Sequence, residues 1–164
     1  CEDFNCEDGY YCHDGGINQP AICRKYCDDD ALCSAPGGLC VIPLSGEYKA
    51  CSENCDPISN VGCNESDMKC DLGRETAAPN RWYTLCEGAG TKTHNEQCAT
   101  NSQCEAGTGC ITITLSTSEM IKRCLVWCNI GSPVCPSGST CGPLNGSPTF
   151  NSVVYGTCVP NVLP

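Results

Sequence analysis

The sequence predicts a small disulfide-rich all-β fold: a linear array of five four-cysteine β-hairpin modules with no single large core. Three observations carry this prediction. Twenty of the 164 residues are cysteine, above the level at which a disulfide scaffold becomes the default reading. The 40% hydrophobic content counts those cysteines, and with two Trp and two Phe a conventional core is poorly supplied. The cysteines also fall into five groups of four with recurring spacing, which marks a repeat rather than one domain.

Module one spans 1–26 and holds Cys1, Cys6, Cys12 and Cys23. Module two, 27–54, holds Cys27, Cys33, Cys40 and Cys51. Module three, 55–86, holds Cys55, Cys63, Cys70 and Cys86. A Gly-containing segment at 87–97 is expected to be a linker and the chain's hinge. Module four, 98–127, holds Cys98, Cys104, Cys110 and Cys124, and module five, 128–164, holds Cys128, Cys135, Cys141 and Cys158. None of the twenty is left over.

Other positions keep the same register. Three residues before the second cysteine stand Asp3, Asp30, Asn60, Asn101 and Ser132. Their short polar side chains suit Asx- or Ser-type turns onto nearby backbone N–H groups. Three before the third cysteine stand Gly9, Gly37, Asp67, Gly107 and Gly138, residue types that tolerate positive φ. Each third-to-fourth cysteine interval reads as a β-hairpin. In module four Ile111, Ile113 and Leu115 alternate with Thr112 and Thr114, the period of a half-buried strand.

The form C-x-x-[DN]-x-x-C-x-x-G-x-x-C, then a hairpin and a cysteine, is similar to the front half of an EGF-like domain. It also resembles the N-terminal cysteine-rich region of Dickkopf proteins. Module four fits without adjustment, whereas modules one, three and five differ in the first gap and modules two and three carry one extra residue before the Gly or Asp. By themselves, four cysteines allow three connectivities. The resemblance implies first-to-third and second-to-fourth pairing: Cys1–Cys12, Cys6–Cys23, Cys27–Cys40, Cys33–Cys51, Cys55–Cys70, Cys63–Cys86, Cys98–Cys110, Cys104–Cys124, Cys128–Cys141 and Cys135–Cys158. Tyr26 and Trp127 immediately precede the first cysteine of the next module and are expected to pack between modules.

Catalytic and metal motifs are scarce. No C-x-x-C exists, so zinc knuckles and thioredoxin-like redox chemistry lack their spacing, and no metal or cofactor is expected. Lipidation of Cys1 would orphan Cys12 in the four-cysteine scheme. His13 and His94, the only histidines, lie in expected loops with no supporting catalytic motif, and the chain is not expected to be an enzyme. Asp28, Asp29 and Asp30 read as a solvated acidic loop, with weak Ca²⁺ binding as the alternative. Asn64 and Asn145 begin glycosylation sequons. The loop at 78–81 offers Arg81 as bait if the chain is a protease inhibitor.

Net charge is −10, unevenly placed. Residues 1–30 carry eight acids against Arg24 and Lys25, whereas Lys122 and Arg123 are the only charges in 120–164. Nucleic acid is a poor partner for such a chain, and no apolar run suggests a membrane span. The expectation is a secreted, extracellular structural or adhesive repeat protein, with filament formation through head-to-tail contacts with itself. The alternative is a binding module for another extracellular protein: a receptor ligand, an ectodomain fragment or the inhibitor just described.

Overall fold

A computed structural model describes residues 6–13, 20–33, 38–44, 47–63, 65–76, 79–115 and 119–162. Eleven strands make up nearly all of its regular structure. Module one contributes β1 (Tyr10–His13) and β2 (Ile22–Cys27), and module two β3 (Cys40–Pro43) and β4 (Lys49–Cys51). Module three contributes β5 (Met68–Arg74) and β6 (Trp82–Gly88). Module four supplies β7 (Thr108–Thr114) and the ten-residue β8 (Met120–Asn129). Module five supplies β9 (Ser139–Pro143), β10 (Thr149–Phe150) and β11 (Val153–Pro160).

The hairpins share one register rule. In every module the third and fourth cysteines face each other across the ladder: Cys12 and Cys23, Cys40 and Cys51, Cys70 and Cys86, Cys110 and Cys124, Cys141 and Cys158. In the described bridges each of these cysteines is bonded instead to one that precedes its hairpin, on a loop or, for Cys40 and Cys141, on the strand of the preceding module. Eight bridges join first to third and second to fourth cysteines in modules two to five, and Cys6–Cys23 is the ninth. Cys12 is also disulfide-bonded, but the pair Cys1–Cys12 lies outside the described residues because Cys1 does. Each described bridge closes a loop of sequence separation 12 to 23. In the chain-entropy model one such loop contributes about 3 kcal/mol.

The polar residue before the second cysteine does more than close a local turn. Asp30 Oδ1 accepts the amide of Cys40 at 2.8 Å, Asn60 Oδ1 that of Cys70 at 2.6 Å, and Asn101 Oδ1 that of Cys110 at 2.8 Å. The side chain thus pins the loop to the third cysteine, nine or ten residues on. The glycine slot is a tight turn in four modules, with Tyr10, Met68, Thr108 and Ser139 donating to the carbonyls of Glu7, Glu65, Glu105 and Pro136. Gly9, Gly107 and Gly138 have φ near +80 to +86°, but Asp67 does not have positive φ. Module three places its left-handed residues earlier, at Asn60 and Gly62.

Two sheets cross module boundaries. Strand β2 runs through the first junction and pairs with β4, giving the order β1-β2-β4-β3. Strand β8 runs through the last junction and pairs with β11, giving β10-β11-β8-β7 with β9 also on β11. Module three is a separate two-stranded ribbon, β5-β6, between these pairs.

Contacts are not confined to neighbouring modules. Arg24 of module one is buried and donates to Cys86 O of module three at 2.6 Å. Tyr155 of module five donates its hydroxyl to Asp56 of module three at 3.0 Å. Small apolar clusters follow the same pattern: Val41, Ile42 and Ala50 pack on Tyr83, while Leu72 packs on Trp127 and Tyr155. The modules therefore fold back around module three, where the sequence reading expected each to meet only the next.

The expected hinge is likewise tied down. Within 87–97, Ala89 N donates to Asp67 O at 2.7 Å, Gly90 N to Cys104 O at 2.9 Å and Asn95 N to Cys124 O at 2.7 Å. A Cβ on Gly90 would fall 2.2 Å from the Gln103 backbone. Glycine serves close approach here rather than freedom of motion.

Candidate functional site

The two sheet junctions hold an aromatic residue at matching places. Tyr26 pairs with Ala50 at the β2–β4 junction, and Trp127 with Thr157 at the β8–β11 junction. Their surroundings differ. Trp127 is 2% exposed, packed with Leu72 and Tyr155, with Gly109 making room for its ring. Tyr26 is 39% exposed.

Around Tyr26 the front sheet carries a tyrosine ladder. Tyr11 and Tyr26 meet edge to face at 5.9 Å, and Tyr26 and Tyr48 at 6.0 Å. Tyr48 is 67% exposed, the most open aromatic among the described residues. Tyr26, Tyr48, Leu32, Cys27 and Asp28 line a shallow cleft of about 260 Å³. Its lining is aromatic and apolar with one carboxylate at the edge, a pattern that suits the face and charge of a cationic side chain.

The acidic triplet beside this cleft is divided in role. Asp29 caps a short 3-10 turn, Asp30–Leu32, by accepting from Ala31 N and Leu32 N. Asp30 accepts from Cys40 N and pairs with Arg81, and these two contacts hold its carboxyl below the usual range. Two of the three carboxylates thus build the loop.

Other sequence candidates are also occupied by the fold. Arg81 binds both Glu75 and Asp30, which ties its guanidinium within the chain; Ala78 of the same loop lies outside the described residues. His94 joins modules four and five. Its Nδ1 accepts Val126 N at 3.3 Å, so Nε2 carries the proton toward Ser139 Oγ at 2.9 Å. That polarity is opposite to the one a His base needs against a nucleophilic Ser. Burial pushes the His94 imidazole below its ordinary value. His13 lines a second cavity with Arg24, Leu85 and Glu87.

Four groups of three cysteine sulfurs, such as Cys27, Cys33 and Cys51, lie within 4.8 Å of one another. All these sulfurs are in disulfides, which stack in each module and offer no thiolate for a metal. Asn145 sits exposed in a turn closed by Ser147 N to Leu144 O; Asn64 lies outside the described residues. Among the described residues no helix is long and apolar enough to cross a membrane.

One cluster escaped sequence reading. Lys69 and Asp71, two apart on β5, are both fully buried, and Glu87 stands opposite Lys69 on β6. Lys69 Nζ donates to Thr108 O of module four at 2.8 Å. It also lies 3.0 Å from Asp71 Oδ2 and 3.6 Å from Glu87 Oε1. Burial, then the Asp71 carboxylate, pushes Glu87 up to about 8. The only sequence signal was a charged pair at strand period beside a cysteine, and a solvated edge would look the same.

Comparison with family models, curated proteins and solved structures found no match.

Proposed function

We propose that the chain is a secreted adhesive protein, a disulfide-locked scaffold whose front end holds a basic segment of another extracellular protein. The tyrosine face carries this reading. A fold that buries Trp127 leaves its counterpart Tyr26, and Tyr48 beside it, open to solvent. Exposed tyrosine faces attract Lys and Arg side chains by about 0.5–1 kcal/mol each. The acid-rich front segment adds longer-range attraction that salt screens. Nine described disulfides suit an oxidising compartment.

Titrating the intact oxidised protein with a fluorescent Lys/Arg-rich peptide, against an acidic peptide of equal length, tests the reading. Saturable binding of the basic peptide alone is expected, weakening with salt and dropping several-fold in a Tyr26→Ala/Tyr48→Ala variant. Equal binding of both peptides, or an unaffected double variant, overturns it.

Self-association is the second reading, and the place of β7 favours it. This seven-residue strand ends the β10-β11-β8-β7 order, and a sheet edge can pair with another chain. The rear cations give head-to-tail contact less support, since Arg123 is bonded to Asn95 O and Lys122 reaches Ala99 O. Sedimentation at rising concentration decides the matter: growth into oligomers supports self-association, and a concentration-independent monomer removes it.

A further inference from the structure

The cluster between modules three and four combines an amine, a carboxyl group and a second carboxyl group. Lys69 and Asp71 side chains have 0% exposure, so water is excluded from both reacting groups. Lys69 Nζ approaches Asp71 Oδ2 to 3.0 Å, yet that oxygen has no hydrogen-bond partner among the described residues, and neither has Glu87 Oε1. One of the ammonium's three N–H donors goes to Thr108 O. A buried ion pair left in this state is costly, because desolvation of both charges is poorly repaid.

We propose that Lys69 and Asp71 condense to an intramolecular amide, with Glu87 as the proton-transferring group. In the ion pair, a proton first passes from the Lys69 ammonium to the Asp71 carboxylate. The neutral amine then attacks Asp71 Cγ and forms the Nζ–Cγ bond. Glu87 gives its proton to the departing hydroxyl and takes one from nitrogen, so it ends as it began. The Cγ–O bond breaks and one water leaves. No oxidant or co-reactant is needed, and net charge is unchanged.

Three features favour the step. The reacting groups are held together by one strand, so little orientational freedom remains to be lost. Glu87, pushed up to about 8, holds a proton at neutral pH while lying beside Lys69. Glu87 also borders a cavity of about 210 Å³ lined by His13, Arg24, Leu85 and Ser102, which gives the released water somewhere to go. The product replaces two buried charges by a neutral amide. Its N–H retains the Thr108 carbonyl as acceptor, and its oxygen can accept from the Glu87 acid.

Mass spectrometry of the secreted, folded protein, measured after reduction and alkylation, tests the proposal. The expected mass is that of the sequence less one water, with no tryptic cleavage after Lys69. In Asp71→Asn the same attack expels ammonia, so this variant should reach the same final mass as the wild type. Glu87→Gln should leave the chain unlinked and cleavable at Lys69. A wild-type chain of full mass cut after Lys69 overturns the proposal. Full linkage in Glu87→Gln overturns the role given to Glu87.

Discussion

The front junction, where β2 meets β4, and the rear junction, where β8 meets β11, are built alike and finished differently. In each, the second strand of one module continues past its fourth cysteine and pairs with the next module. An aromatic residue precedes the new cysteine in both. At the rear, module three brings Leu72, module five brings Tyr155, and Gly109 yields space, so Trp127 is buried. At the front, module three packs Tyr83 against Val41, Ile42 and Ala50, and the tyrosine ladder stays open. One junction is covered by the fold and the other stays open to solvent. The same local design therefore yields a structural or a surface role according to what module three covers.

The largest expected effect falls on the rear aromatic. Trp127→Ala should cost about 3–5 kcal/mol, as for other buried aromatic truncations. Tyr26→Ala should stay near the scale of about 0.5 kcal/mol typical of surface changes. Denaturant unfolding with disulfides intact measures both, and similar losses would break the comparison.

A second pair of changes tests what the junction pairs share. Asn101 in the rear pair and Asp30 in the front pair hold the amide of a third cysteine. Replacing either by Ala leaves that donor unpaired and should cost about 1–3 kcal/mol. Ser132, whose side chain has no such bond to Cys141 among the described contacts, should tolerate Ala within about 0.5 kcal/mol. The same unfolding experiment serves, and an equal cost at Ser132 would show that the device is not specific to the Asx side chain.

The smallest effect is in pH. Burial lowers the His94 value on folding, so the folded state favours the neutral ring. Its contribution is complete above the unfolded value of about 6.5 and is lost as pH falls through the lower folded value. Melting temperature should therefore decline on mild acidification, and His94→Gln should flatten that part of the curve. An unchanged slope in the variant would assign the effect to other groups.

Much of this was legible in residue order. Cysteine spacing located all five hairpins, because a bridge and a strand turn are both local constraints. The Asx residues were found, but their reach was not: Asn101 and Cys110 are nine residues apart, beyond any turn. The hinge expected at 87–97 rested on its glycines, and Gly90 proved to be a site of close backbone contact. Lys69 and Asp71 showed only a charged pair at strand period, and alternation along a strand does not say which face meets another module.

By itself, then, the sequence determined a small disulfide-rich all-β fold and the places of its hairpins. These depend on spacing along the chain, where covalent reach and strand period leave few choices. Only the tertiary structure decided that module three is packed on both sides, that Trp127 is covered while Tyr26 is not, and that a lysine and two carboxyl groups meet between modules. Those outcomes depend on which surfaces exclude water together, and residues far apart in sequence supply the two sides.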